Sequence, residues 1–101
     1  GKKVTIILDT GMNQHAIDLA KDSNLLICES TYSHEDEQVA NEYKHLTSMQ
    51  AATIAKKSKS QKLLLTHISQ RYEHSLNILE KQARKVFKNT KIAKDLDVVE
   101  I

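Results

Sequence analysis

The chain has 101 residues, 40% of them hydrophobic and 28% charged, with a net charge of +2. That is the composition of one ordinary globular domain, and nothing approaches the ~18 consecutive apolar residues of a membrane span. No signal peptide opens the sequence, and the lone cysteine, Cys28, has no internal partner for a disulfide, so a reducing, cytoplasmic setting is expected.

In chain order, the first element is the apolar run VTIIL (residues 4–8), of strand length and β-branched. A helix is expected over residues 13–21, with Ala16, Ile17 and Ala20 on its inner face. LLIC (25–28) reads as a second strand. Residues 48–57 form a second helix with Ala51, Ile54 and Ala55 inward, and Thr47 with Gln50 has the spacing of a capping box. KLLLT (62–66) is the third strand, apolar enough to be covered on both faces. Residues 73–88 carry the clearest helical period, through Leu76, Leu79, Ala83, Val86 and Phe87. The last twelve residues read as two short strands with a turn near 94–97. With no proline and glycine only at positions 1 and 11, turns fall to Asn, Asp and Ser, as in KDSN (21–24) and KSKSQ (57–61). Strands alternating with helices predict an α/β layer built on a largely parallel sheet.

The polar residues that follow the strands carry the chemistry. The first apolar run ends in Asp9-Thr10, the second in Glu29-Ser30-Thr31, and the third in His67. Ligands of open α/β sheets bind outside the carboxyl ends of the strands, so parallel neighbours bring these three endings to one edge. A single Asp after a strand is a common turn starter; three ionisable endings together point to a site. Carboxylates and imidazoles are ligands for zinc or manganese, and the combination suits metal-assisted hydrolysis. The set is nevertheless short of a metal shell, because no His-x-His or His-Glu-x-x-His motif accompanies Asp9 and His67. Lysines 56, 57, 59 and 62 and the basic residues between 81 and 94 form clusters that attract phosphate or simply face solvent. Cys28 is expected to be a small buried hydrophobe, and His15, His34 and His74 surface residues.

Five stretches occur together in a recognisable order: ILDTGM (7–12), LLICESTY (25–32), KHLTSMQAATIAKK (44–57), LLLTHISQRY (63–72) and VFKNTKIAKDL (86–96). In this order and spacing the sequence resembles the ribonuclease Z family, transfer-RNA 3′-processing endoribonucleases of the metallo-β-lactamase superfamily, and specifically their carboxyl-terminal half. The resemblance implies an αββα sandwich of which this chain supplies one half, in the order β-α-β-α-β-α-β-β, as a single unit over residues 1–101 with the amino-terminal half missing. It implies two zinc ions in the intact enzyme, with Asp9 resembling the aspartate that bridges them and His67 a histidine of one ion's shell. The family's histidine-rich metal motif is not among these residues, so the chain alone is expected to be inactive. Glu29 and His45 resemble a pair that protonates the leaving group, and Ser69 and Arg71 resemble residues near the substrate phosphate. The sequence has Leu-Asp-Thr where many members have Gly-Asp-Thr, and His-Leu-Thr where many bacterial ones have His-Ser-Thr. Precursor transfer RNA as substrate, a homodimeric intact enzyme and no membrane partner are implied with it. Two other readings stand beside it: another phosphodiesterase of the superfamily, and a non-catalytic fragment or partner module.

Overall fold

A computed structural model of the chain describes residues 2–7, 13–29, 33, 36–42, 45–66 and 76–93. Its elements are β1 (Val4–Ile7), α1 (Gln14–Ala20), β2 (Leu25–Glu29), α2 (Glu37–Glu42), α3 (Ser48–Lys57), β3 (Leu63–Thr66), α4 (Leu76–Val86) and β4 (Thr90–Ile92). The sheet has the order β1-β2-β3-β4, with all three pairs parallel. Four of the five expected strands and the helices α1, α3 and α4 are therefore present, and the largely parallel sheet is wholly parallel among the described residues. One point differs from the expected order. α2 was not foreseen, because its apolar residues are only Val39 and Ala40, too few to show a helical period. The second of the two terminal strands falls outside the described residues.

Sequential parallel strands require crossover helices, and right-handed crossovers place every such helix on the same side of the sheet. The core follows from that geometry. Ile7, Leu26, Cys28, Leu63, Leu65 and Ile92 share one sheet face by strand alternation and register. They are buried together with Ala16 and Ala20 of α1, Ala51, Ala52, Ile54 and Ala55 of α3, and Leu79 and Ala83 of α4. The many alanines let the helices lie close to the sheet. The opposite face carries Val4, Ile6, Leu25, Ile27 and Leu64, and there Val4 and Ile6 are 44% and 61% exposed. Among the described residues the layer is thus apolar on both faces, with α1, α3 and α4 packed on one.

The amino-terminal edge of the sheet is tied by a small hydroxyl network. Ser23 donates through Oγ to the carbonyl of Ala20 at 2.7 Å and lies 2.7 Å from the Thr5 hydroxyl, while Ser60 Oγ reaches the same carbonyl at 3.2 Å. α3 ends in a Schellman arrangement: Lys59 N–H donates to the Lys56 carbonyl at 3.3 Å and Ser60 N–H to that of Ala55 at 3.0 Å. Lys59 has φ 59°, and Asp22, at the matching turn after α1, has φ 58°. Asp22 is the kind of turn residue expected there; Lys59 takes the left-handed conformation where a glycine would be the unstrained choice.

Leu65 is fully buried on an inner strand and belongs to the core cluster. Leu65→Ala should cost about 2–5 kcal/mol, the range for a buried leucine whose cavity cannot collapse. Denaturant titration of the two proteins measures this, and a loss below about 1 kcal/mol would show that the core under the sheet is loosely packed.

Candidate active site

β2 runs one residue further than its apolar stretch suggests and ends in Glu29, which pairs in register with Thr66, the last residue of β3. On the other side Ile7, the last residue of β1, pairs with Cys28. The carboxyl ends of β1, β2 and β3 therefore meet at one edge, as the site reading requires. Asp9, His67, Ser69 and Arg71 themselves lie outside the described residues. The chain reaches position 9 two residues beyond β1 and position 67 one residue beyond β3.

Glu29 is fully buried. A carboxylate leaves water at a large free-energy cost unless it is paired, and among the described residues His45 is one partner. Its Nδ1 lies 3.3 Å from Glu29 Oε2 and 3.4 Å from Oε1. A carboxylate only accepts, so Nδ1 carries the hydrogen and the ring's chemistry is directed through Nε2. Both distances exceed the ~2.7–2.9 Å of a tight charge-assisted hydrogen bond, so the contact orients the ring without locking it. The His45 side chain remains 26% exposed, which leaves it an approach from outside, while the Glu29 side chain has none.

Local sequence explains how His45 is held. Its backbone N–H donates to the Ala40 carbonyl of α2 at 2.8 Å. The next residue, Leu46, is fully buried in the core, and Thr47 caps α3. The expected capping box is present: Gln50 N–H donates to Thr47 Oγ1 at 3.1 Å, and Thr47 N–H donates to Gln50 Oε1 at 3.0 Å. Leu46 before the cap and Ala51 four positions into the helix are both buried in one cluster, the arrangement of a hydrophobic staple. His45 is thus a helix-entry residue, two positions before the cap of α3. The fold turns that entry onto Glu29, sixteen positions earlier in the chain.

Sequence reasoning missed Asn41, whose Oδ1 accepts from Gln50 Nε2 at 3.3 Å. The available signal was chemical: a capping-box glutamine uses only its oxygen, so its amide nitrogen needs an acceptor elsewhere. The basic run at 56–62 leads into the amino end of β3, at the edge opposite Glu29. Lys56 and Lys57 occupy the last turn of α3, where positive charge complements the helix dipole. Arg84 is likewise engaged locally, with Glu80 at 2.6 Å and the Thr90 carbonyl at 3.0 Å.

Among the described residues no three His, Cys, Asp or Glu side chains come together to hold a metal ion. Cys28, the neighbour of Glu29, is fully buried, and burial, reinforced by the Glu29 charge, pushes its thiol well above the ordinary range. Cys28 should therefore resist a thiol reagent such as Ellman's in the folded protein and react once the protein is unfolded. Rapid native labelling would overturn its place in the core.

The comparisons with known proteins agree with the geometry. No family model matches the chain. Ribonuclease Z of Lactiplantibacillus plantarum is 45% identical over 102 residues, covering the whole of this chain and 33% of that protein. Ribonuclease Z of Protochlamydia amoebophila is 45% identical over 96 residues, covering 95% of this chain and 31% of that protein. The chain belongs to the ribonuclease Z family. It spans about a third of the length of these relatives, and so is a smaller part of such a sequence than the half that the motifs implied. Among solved structures, the crystal structure of human tRNase Z, short form, matches the whole chain and 34% of its own, with a TM-score of 0.77 and 30% identity. YhfI of Bacillus subtilis, a metallo-β-lactamase fold protein, matches 90% of this chain and 36% of its own, with a TM-score of 0.81 and 29% identity. The α/β layer is thus part of a metallo-β-lactamase fold. In that αββα sandwich two sheets pack face to face, which accounts for the apolar face bearing Val4, Ile6, Ile27 and Leu64.

Proposed function

We propose that this chain is the carboxyl-terminal part of an endoribonuclease that removes 3′ trailers from precursor transfer RNA by phosphodiester hydrolysis. The observation that carries this reading is the Glu29–His45 contact at the carboxyl edge of the sheet, in a ribonuclease Z sequence. The leaving 3′ oxygen of a cleaved phosphodiester needs a proton. His45 supplies it, and Glu29 holds the ring in one tautomer and stabilises the imidazolium before transfer while itself staying ionised. Ser69 and Arg71 are assigned to the substrate phosphate, Arg71 through the paired donors of its guanidinium.

Two zinc ions, held in part by Asp9 and His67, would supply an activated water and neutralise charge at the phosphate. The donors are of the right kind, carboxylate oxygen and imidazole nitrogen. Two are fewer than the three that a catalytic zinc takes from protein, so the remaining ligands come from elsewhere in the protein and this chain alone is inactive. A homodimeric intact enzyme and a cytoplasmic location belong to the same reading; no helix among the described residues is long and apolar enough to cross a membrane.

A second reading is another phosphodiesterase of the same superfamily; the likeness to YhfI supports the shared fold and names no substrate. The two are separated with the full-length protein carrying this sequence. Cleavage of a precursor transfer RNA at a discrete position beside the mature 3′ end supports the first. Turnover of bis(p-nitrophenyl) phosphate with the precursor left uncut would replace it with the second.

A further inference from the structure

We propose that the amino edge of the sheet, opposite Glu29, is a second contact surface for RNA, holding its phosphate backbone and taking no part in the cleavage step. The charges of the layer are divided between its two edges, a division that the net charge of +2 hides. At the carboxyl edge Glu29 ends β2, and Asp36, Glu37 and Glu42 follow in and beside α2. At the amino edge the sign reverses. Lys21 follows α1, Lys56, Lys57 and Lys59 close α3, and Lys88 joins α4 to β4, all of them exposed. Lysines at helix ends complement the helix dipole, which accounts for Lys56 and Lys57 singly. It does not account for the meeting of lysines from different helices. Lys21, from the end of α1, lines one cleft of about 180 Å³ with Lys57 and Lys59, from the end of α3. Gathering like charges costs energy that a bound anion offsets. The carboxylate of that cleft, Asp18, is already held by Gln14 Nε2 at 2.9 Å.

The segments that carry these lysines are tied to one another across the edge. Asp22 N–H donates to the Ser58 carbonyl at 2.7 Å, and Gln61 N–H to the Ser23 carbonyl at 2.9 Å. Asn24 Nδ2 donates to Gln61 Oε1 at 3.4 Å, and Asn89 Nδ2 to the Gln61 carbonyl at 2.8 Å. The charges therefore stand on a fixed frame and need little ordering when an anion binds. Gln61 Nε2 and Asn89 Oδ1 have no partner among the described residues, which leaves a donor and an acceptor beside the lysines. Phosphate oxygens and ribose 2′-hydroxyls use such a mixture of cations and amides, and this favours RNA as the occupant. The reach is short. β2 has five residues, about 17 Å at ~3.3 Å each, less than one ~34 Å turn of a duplex.

The effect on turnover rests on the reading of the protein as an RNA-cleaving enzyme, whereas affinity for RNA is measured without cleavage. The test uses the full-length protein carrying this sequence. One variant combines Lys21→Gln, Lys57→Gln and Lys59→Gln; a second changes the same three positions to Arg. Binding of a fluorescent mature transfer RNA, which has no trailer to cut, is followed by anisotropy as salt is raised. Three lost phosphate contacts should lower the slope of log affinity against log salt by about 2. The Arg variant keeps the charge and should keep the slope, as should Lys81→Gln, in the middle of α4. In the cleavage assay the Gln variant should show a KM for the precursor raised roughly tenfold at unchanged kcat, with hydrolysis of bis(p-nitrophenyl) phosphate unchanged. An unaltered salt slope in the Gln variant would overturn the proposal. So would retained RNA binding with lost binding to phosphatidylserine vesicles, which would assign the edge to a membrane surface. A reduced slope in a protein that leaves the precursor uncut would support the RNA surface and count against trailer removal.

Discussion

His45→Ala in the full-length enzyme is expected to slow trailer removal by about 10²–10⁴-fold while leaving its metal content unchanged. The loss corresponds to roughly 3–5 kcal/mol of barrier, the amount one positioned proton donor contributes. The geometry behind it is a half-buried imidazole whose Nδ1 is committed to a fully buried carboxylate, so that proton transfer falls to Nε2. Alanine also takes the imidazole away from Glu29, and some of any effect could then reflect altered folding. His45→Gln guards against that, because an amide N–H can still donate to Glu29 but cannot deliver a proton to a leaving alkoxide. Both variants should be slow, and His45→Gln should melt close to the unaltered protein. Single-turnover cleavage of a precursor with a short trailer measures the step. Turnover within a few-fold of normal in His45→Gln would return the pair to a structural role.

Asp9→Ala is expected to remove metal and activity together. A carboxylate shared between two cations offsets their mutual repulsion, so its loss weakens both sites at once, unlike the loss of a ligand to one ion. Position 9 follows β1 by two residues, and β1 lies beside β2 with Ile7 in register with Cys28, one residue before Glu29. Metal analysis after gel filtration, alongside the cleavage assay, tests this. Normal zinc content with normal turnover would remove Asp9 from the site. The two substitutions predict opposite patterns, metal kept with His45→Ala and metal lost with Asp9→Ala, and so separate the proton donor from the ligand.

Much of the fold was legible in residues close together in the chain. Val4–Ile7, Leu25–Cys28 and Leu63–Leu65 are apolar runs too short for helices, and Leu76–Val86 keeps a helical period that few other structures would satisfy. Thr47 and Gln50 announce the start of α3 through a reciprocal pair of bonds within four residues. α2 was not legible, because Val39 and Ala40 among acidic and amide residues give no period; its helix is secured by burying Ala40 and by the contacts of Asn41 and His45. The extension of β2 to Glu29 was equally hidden, since nothing local favours burying a carboxylate at a strand end.

By itself, then, the sequence determined the strands, the larger helices, the α3 cap and, through its motifs, the family. These depend on propensity, periodicity and bonds spanning a few residues. Only the tertiary structure decided the order and register of β1, β2 and β3, that the described helices packed in the core lie on one face, and the distance and burial at which His45 meets Glu29, a pair that the resemblance had implied. Those outcomes depend on register and on the hand of the crossovers, which bring together groups distant in the chain.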